Sequence, residues 1–239
     1  MVADLVGWRG IFVVGGLLAA VSLAAAILGL HGAAAGAQRH VSIAAAIDNY
    51  RQVLANPRTK ICYGAVFLEG IAMFGLFPYV AILLVAGGEA RASIAGLVIS
   101  GFAIGGILYA LAIGRLLHRF ESRSLMVAGG VMAAAGLLVE AAAPGWPVQW
   151  AALTVMGFGF YLLHGAIMVL MSELAPNARG TAVAGHASAF YMGQGLGPVV
   201  YGLGFATAGS AATMILAAIL MLGIAIVTSR LLFPRAVAP

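Results

Sequence analysis

The sequence predicts an all-α polytopic helical membrane protein with seven transmembrane helices, and three observations carry that prediction. Of its 239 residues 63% are hydrophobic and only 8% charged, and the mean hydropathy is +1.08. A soluble domain needs about a quarter of its residues charged to wet its surface, so lipid must be the solvent for most of this one. Apolar runs of about 20 residues, the length that crosses a bilayer as a helix, recur along the chain between charges, Gly and Pro. Lys and Arg also segregate onto alternate connections, as cytoplasmic loops require.

In order, the spans are residues 11–30, 61–86, 93–116, 125–143, 148–172, 183–207 and 211–232. The run after Arg9 is longer than the apolar core of a signal peptide, about 7 to 15 residues, so it reads as a retained span. The one long connection, 32–60, starts Gly/Ala-rich over 32–38. From Ser42, Ile43, Ala46, Ile47, Tyr50, Val53 and Leu54 recur at helical spacing, with Asp48, Arg51 and Gln52 on the other face. This predicts an amphipathic helix at the cytoplasmic membrane surface, ended by Asn56 and Pro57, with an unstructured tether as the alternative. The organisation is therefore a single span (1–31), a cytoplasmic linker (32–60) and a six-helix bundle (61–239).

Charge orients these spans. Arg39, Arg51, Arg58, Lys60, Arg115, Arg119, Arg123, Arg179, Arg230 and Arg235 fall on one side, and Arg9 and Arg91 on the other. The excess of positive charge marks the cytoplasm, so the amino end lies outside and the carboxyl end inside the cell membrane. A pI near 9.8 raises nucleic acid as a partner, but the basic residues are scattered over short loops and form no stripe, which excludes it. The single cysteine, Cys62, makes neither an internal disulfide nor a metal cage.

Glu69 is the leading functional residue. It lies nine residues beyond Lys60, about 13 Å into a hydrocarbon core about 30 Å thick. A charge at that depth costs roughly 2.5 to 3.5 kcal/mol, so the group should face protein or a wet gap. His164, nine residues before Glu173, reaches the same level, as do Tyr191 and Gln194 in the sixth span. Burial disfavours a charged carboxyl, while an approaching cation or an opened water path restores the charge. Proton and substrate can then compete for one site. The plainer alternatives are a Glu69 that only hydrogen-bonds inside the bundle and a His164 that is an interhelical donor.

Tyr63, Phe67 and Phe74 lie along the span of Glu69 with Phe77 and Tyr79, and either line a pocket for an amphiphilic or cationic compound or simply pack. Glu140, near the outer end of its span, should reach the interface and be solvated. Glu89 and Arg91, beside Gly87 and Gly88, read as an outer turn. Gly101 with Gly105, and Gly193, Gly197 and Gly202, let helix backbones approach closely. Pro198 should bend its helix. Gly193 to Gly197 lies inside an apolar span without a preceding strand, so it is no dinucleotide site, and neither cofactor nor metal is expected.

Four stretches resemble the major facilitator superfamily. Gly7-Trp8-Arg9 with Ile11-Phe12 resembles the entry to that fold's sixth helix, and Gly114 to Arg123 its basic loop between the second and third helices of a half. Glu173-Leu174-Ala175-Pro176 with Arg179-Gly180-Thr181-Ala182 resembles the cytoplasmic loop after the tenth helix. Gly193, Gly197-Pro198 and Gly202 are similar to an antiporter glycine-proline signature. His118 and Glu121 depart from the basic-loop motif, which has an acidic residue and a glycine there.

The resemblance, closest in style to the drug:proton antiporter branch, implies the sixth helix, the central loop and the carboxyl-terminal half of a secondary transporter. It implies that the spans of Glu69, His164 and Tyr191 line the cavity. It also implies that Arg115, Arg119, Arg123, Glu173 and Arg179 form a cytoplasmic latch, although plain charge anchoring explains the same arginines. The expected activity is proton-coupled efflux of small amphiphilic compounds by a chain lacking the first five helices, in contact with lipid, proton and substrate. Alternating access needs two halves, so a complementary half or a second copy is the expected partner. A non-transporting fragment is the second reading. An intramembrane enzyme is the third, disfavoured because the buried acid is single and no paired-histidine motif occurs.

Overall fold

Asn56 and Pro57 set where the bundle begins. The Asn56 side chain accepts a hydrogen bond from the Arg58 backbone N–H at 3.0 Å, and Pro57 takes the first turn, where a missing N–H leaves no bond unmade. The structure is a computed structural model that describes residues 2–29 and 42–232. Among these residues all regular structure is helical. Residues 32–41 of the predicted linker and the last residues, with Arg39 and Arg235, lie outside them.

The chain divides between Ala45 and Ala46 into two units. The first holds α1 (Val2–Gly29), kinked at Gly7, whose φ of 67° is open to glycine and strained for other residues. The second holds most of α2 (Ile43–Ala55) and the bundle. Ile47, Tyr50 and Leu54 leave α2 exposed on its apolar side, while Val53 is buried.

The bundle runs through α3 (Pro57–Glu69), a π-helical turn (Gly70–Phe74), a 3₁₀ turn (Phe77–Tyr79) and α4 (Val80–Ala86), which together make one span of 30 residues. Then come α5 (Ala92–Arg119), α6 (Ser122–Ala141), α7 (Trp146–Leu174), α8 (Arg179–Ala208) and α9 (Ser210–Leu231). Among the described residues six helices are long and apolar enough to cross a membrane: Phe12–Gly29, Pro57–Ala86, Ala92–Arg119, Ser122–Ala141, Trp146–Leu174 and Ser210–Leu231. The chain is thus an all-α polytopic membrane protein.

The remaining expected span, 183–207, lies inside α8. At 30 residues α8 is long enough to cross, but it is not among the six by composition. His186, Ser188, Gln194 and seven glycines dilute its apolar character, and its buried residues, Ala182, His186, Gly193, Gly197 and Tyr201, form one stripe.

Register follows from close approaches. A Cβ on Gly193 would strike the Phe67 carbonyl, and one on Gly70 would lie 2.5 Å from the Phe190 carbonyl oxygen. Backbone meets backbone there, so α3 and α8 run side by side with no room for side chains. Three phenols tie the same seam: Tyr63 donates to Ala182 O at 3.1 Å, Tyr201 to Ala72 O at 2.6 Å and Tyr79 to Pro198 O at 2.8 Å. The π turn and Pro198 both disturb the usual ladder, and these phenols donate to carbonyls at both breaks. Gly101 and Gly105 face Trp150 and Thr154 in the same way, joining α5 to α7, and the Tyr79 hydroxyl lies over Gly202.

One buried acid differs from expectation. Glu140 is 3% exposed with Oε1 unpartnered among the described residues, so it is enclosed and not solvated at the interface. Its position toward the end of α6 sets its height but not its facing, and that facing is inward, toward the bundle's interior.

Candidate functional site

Glu69 ends α3 where the helix widens into the π turn, a place where a carbonyl ladder is already loosened and where functional groups concentrate. Its Oε2 meets His164 Nδ1, midway along α7, at 2.9 Å. His164 Nε2 in turn meets His186 Nε2, two turns into α8, at 3.4 Å, with the rings 4.9 Å apart at 60°. Three helices therefore contribute one group each to a continuous polar chain.

The walls are aromatic. Phe160 stacks on His164 at 5.0 Å and 22°, and Phe190 lies 4.9 Å from the same ring. Each phenylalanine is four residues from a histidine on its own helix, so α7 and α8 each present a His–Phe pair on one face. Phe74 stands edge-on to Phe102, Phe160 and Phe190, and 4.9 Å from Phe77. His164 is thus stacked on Phe160, with Phe190 tilted 55° against the same ring.

The polar chain is closed at the acid. Glu69 has 0% of its side chain exposed and His164 17%, so the histidine and not the carboxyl borders the open space. Among the described residues no wet gap surrounds Glu69 itself: α3, α7 and α8 close over the acid. Oε1 of Glu69 has no partner among the described residues. A buried carboxylate with one bare oxygen and one imidazole is held by that imidazole alone.

The other expected site residues scatter. Tyr191 is 65% exposed and points away from Glu69, because one residue rotates a helix by about 100° and Phe190 takes the inward position. Gln194 is partly exposed, and it is its backbone N that approaches Gly70. Tyr63 is a strut to Ala182, and the Phe67 carbonyl packs on Gly193. Among the described residues Arg115, Arg119, Arg123, Glu173 and Arg179 make no side-chain hydrogen bond or ion pair. Glu173 instead lines a cavity of about 280 Å³ with Tyr109, Ser122 and Leu162.

His186 is the residue that sequence reasoning missed. Seven residues past Arg179, about 10 Å into α8, it was open to the same depth argument that picked out His164. Among the described residues no cluster of three His, Cys, Asp or Glu has the geometry to hold a metal ion.

A family model for the Major Facilitator Superfamily matches residues 62–239, from the second turn of α3 onward. The chain belongs to the major facilitator superfamily. Among curated proteins none matches it. Membership makes the chain a transporter-family protein, and the match takes in all of the helices that build the Glu69 site while leaving α1 and α2 outside it.

Proposed function

We propose that this superfamily member works as a proton-coupled exporter of small amphiphilic compounds, in the manner of drug:proton antiporters. Glu69 and His164 are its proton site. The observation that carries this reading is the 2.9 Å contact between a fully buried carboxyl and an imidazole at the edge of open space. The pair can hold a proton, as carboxylic acid with imidazole, or release it, as carboxylate with imidazole. A substrate cation near His164 shifts the balance, so occupancy and protonation are linked. The phenylalanine wall around His164 suits an aromatic or cationic amphiphile.

The six-helix bundle supplies one wall of such a site, and it works against a complementary half from the same polypeptide or another. Charge asymmetry supports a cell-membrane setting with the arginine-rich end in the cytoplasm. There Arg115, Arg119 and Arg123, with Glu173 and Arg179, are free to engage that half and latch one conformation.

Replacing Glu69 by Gln keeps size and polarity and removes the titration. In vesicles holding the full-length transporter, efflux of a lipophilic cationic dye driven by a pH gradient should vanish. The melting temperature should change little. Undiminished efflux by that variant removes the reading.

A further inference from the structure

A proton destined for Glu69 needs a nitrogen or oxygen through which to enter, and this site offers few. Glu69 has no exposed side-chain surface. His164 borders open space, yet both of its nitrogens are engaged, Nδ1 with Glu69 and Nε2 with His186. His186 Nδ1 is the one ring nitrogen of the two histidines that lacks a partner among the described residues.

We propose, resting on the reading of Glu69 and His164 as the proton site, that Glu69, His164 and His186 form a proton wire whose port is His186 Nδ1. In the unloaded state His164 Nδ1–H donates to the Glu69 carboxylate, and His186 Nε2–H donates to the bare Nε2 of His164. A proton then bonds to His186 Nδ1, the Nε2 hydrogen of His186 passes to His164 Nε2, and the Nδ1 hydrogen of His164 passes to Glu69 Oε2. One proton enters and Glu69 becomes neutral. Both imidazoles end neutral with their tautomers exchanged, and each contact holds one hydrogen before and after. The wire therefore carries a single proton per loading.

The placement puts the port on the cytoplasmic side of the acid, where an exporter driven by inward proton flow unloads, so in turnover the same balanced steps run in reverse, from Glu69 to His186. His186 lies about 10 Å from the Arg179 end of α8, while Glu69, twelve residues from Pro57, lies about 18 Å from the start of α3, at the same arginine-bearing end of the bundle. With 3% exposure, His186 is shut off in this conformation, so the port opens only when α8 shifts against its neighbours. Few other groups bear on it. His164 faces it from α7, Tyr63 from α3 is committed to the Ala182 carbonyl one turn earlier, the π turn carries no charge, and the one charged residue of α9, Arg230, is in its last turn.

The test is the rate of proton uptake by the purified full chain after a pH jump, followed with a pH-indicator dye. His186→Phe keeps the ring packing and His186→Gln the polarity, and either variant that folds serves. Each should take up the same final amount of proton as the parent, at least about tenfold more slowly. Added imidazole should restore the rate in His186→Gly, where it fills the vacated ring position. Uptake at the parent rate in the first two variants overturns the port, as does a slow rate that imidazole leaves unchanged, since that marks a packing role. Glu69→Gln separates the two readings: it should abolish the uptake itself, and an unchanged amount there would remove the proton site and not only its entrance.

Discussion

Two helix seams in this bundle solve the same steric problem with different chemistry. Along α3 and α8 the helices approach until main chains touch, and polar groups fill the contact: three phenol-to-carbonyl bonds, a π turn and the imidazole of His186. Between α6 and α9 the approach is also close, at Gly130 against Ala225, but there Thr228 bonds back to its own helix through Ile224 O and crosses the seam only to the Met126 sulfur at 3.3 Å. The first seam has polar groups that can be rearranged, and the second is a dry support. Proton chemistry belongs on the seam whose bonds can be exchanged, and that is where Glu69 sits.

The sharpest way to break the contrast is to add one methyl group to each seam. Gly193→Ala thrusts a Cβ at the Phe67 carbonyl, which cannot be trimmed, so a loss of about 3 kcal/mol is expected. Gly130→Ala meets the Cβ of Ala225, a side-chain atom, and should lose about 1 to 2 kcal/mol. Adding Ala225→Gly to that second variant should recover most of the loss. Thermal unfolding in detergent reads both, and failure of the rescue would mean that the α6–α9 seam is as rigid as its counterpart.

Next in size is Tyr201→Phe. It removes the 2.6 Å bond to Ala72 O and leaves a buried carbonyl without that donor in the π turn, at a cost of about 1 to 2 kcal/mol. A loss as small as that of an exposed hydroxyl would show that the turn does not depend on α8.

Away from both seams' named contacts, Glu140→Met should raise the melting temperature, by about 1 kcal/mol of stability, because an enclosed acid with a bare oxygen becomes apolar. A drop would point to a partner for that acid. The smallest effect lies in the outer turn, where Arg91 forks onto Glu89 and holds its carboxyl down to about 2. A carboxyl lowered from its ordinary value of about 4 stabilises the fold above that value and loses the contribution as pH falls toward 2. Glu89→Gln should therefore flatten the acid limb of a melting-temperature profile, and a parallel profile would exclude the pair.

Much of the fold was legible because lipid imposes a coarse rule: a run of about 20 apolar residues has few alternatives to a span. Glu69 and His164 could be paired from depth alone, since rise per residue fixes height. What depth does not give is azimuth. Tyr191 was at the right height on the wrong side of α8, and Glu140 was at the expected height with its carboxyl turned inward. In a soluble helix an apolar stripe reports the buried side, but in hydrocarbon both sides are apolar and that signal is lost. His186 escaped notice among alanines and glycines, and only the α7 partner across the gap shows its purpose.

The burial of Glu69 has a consequence for biosynthesis. Its partner His164 is 95 residues further along the chain, which at about 5 to 20 residues per second arrives roughly 5 to 20 s later. Through that interval the nascent hairpin has an acid and no base, so it must dwell in the translocation channel or near the headgroups. The order of synthesis thus delays the docking of Glu69 until α7 has been made, although α3 is the first helix of the bundle to emerge.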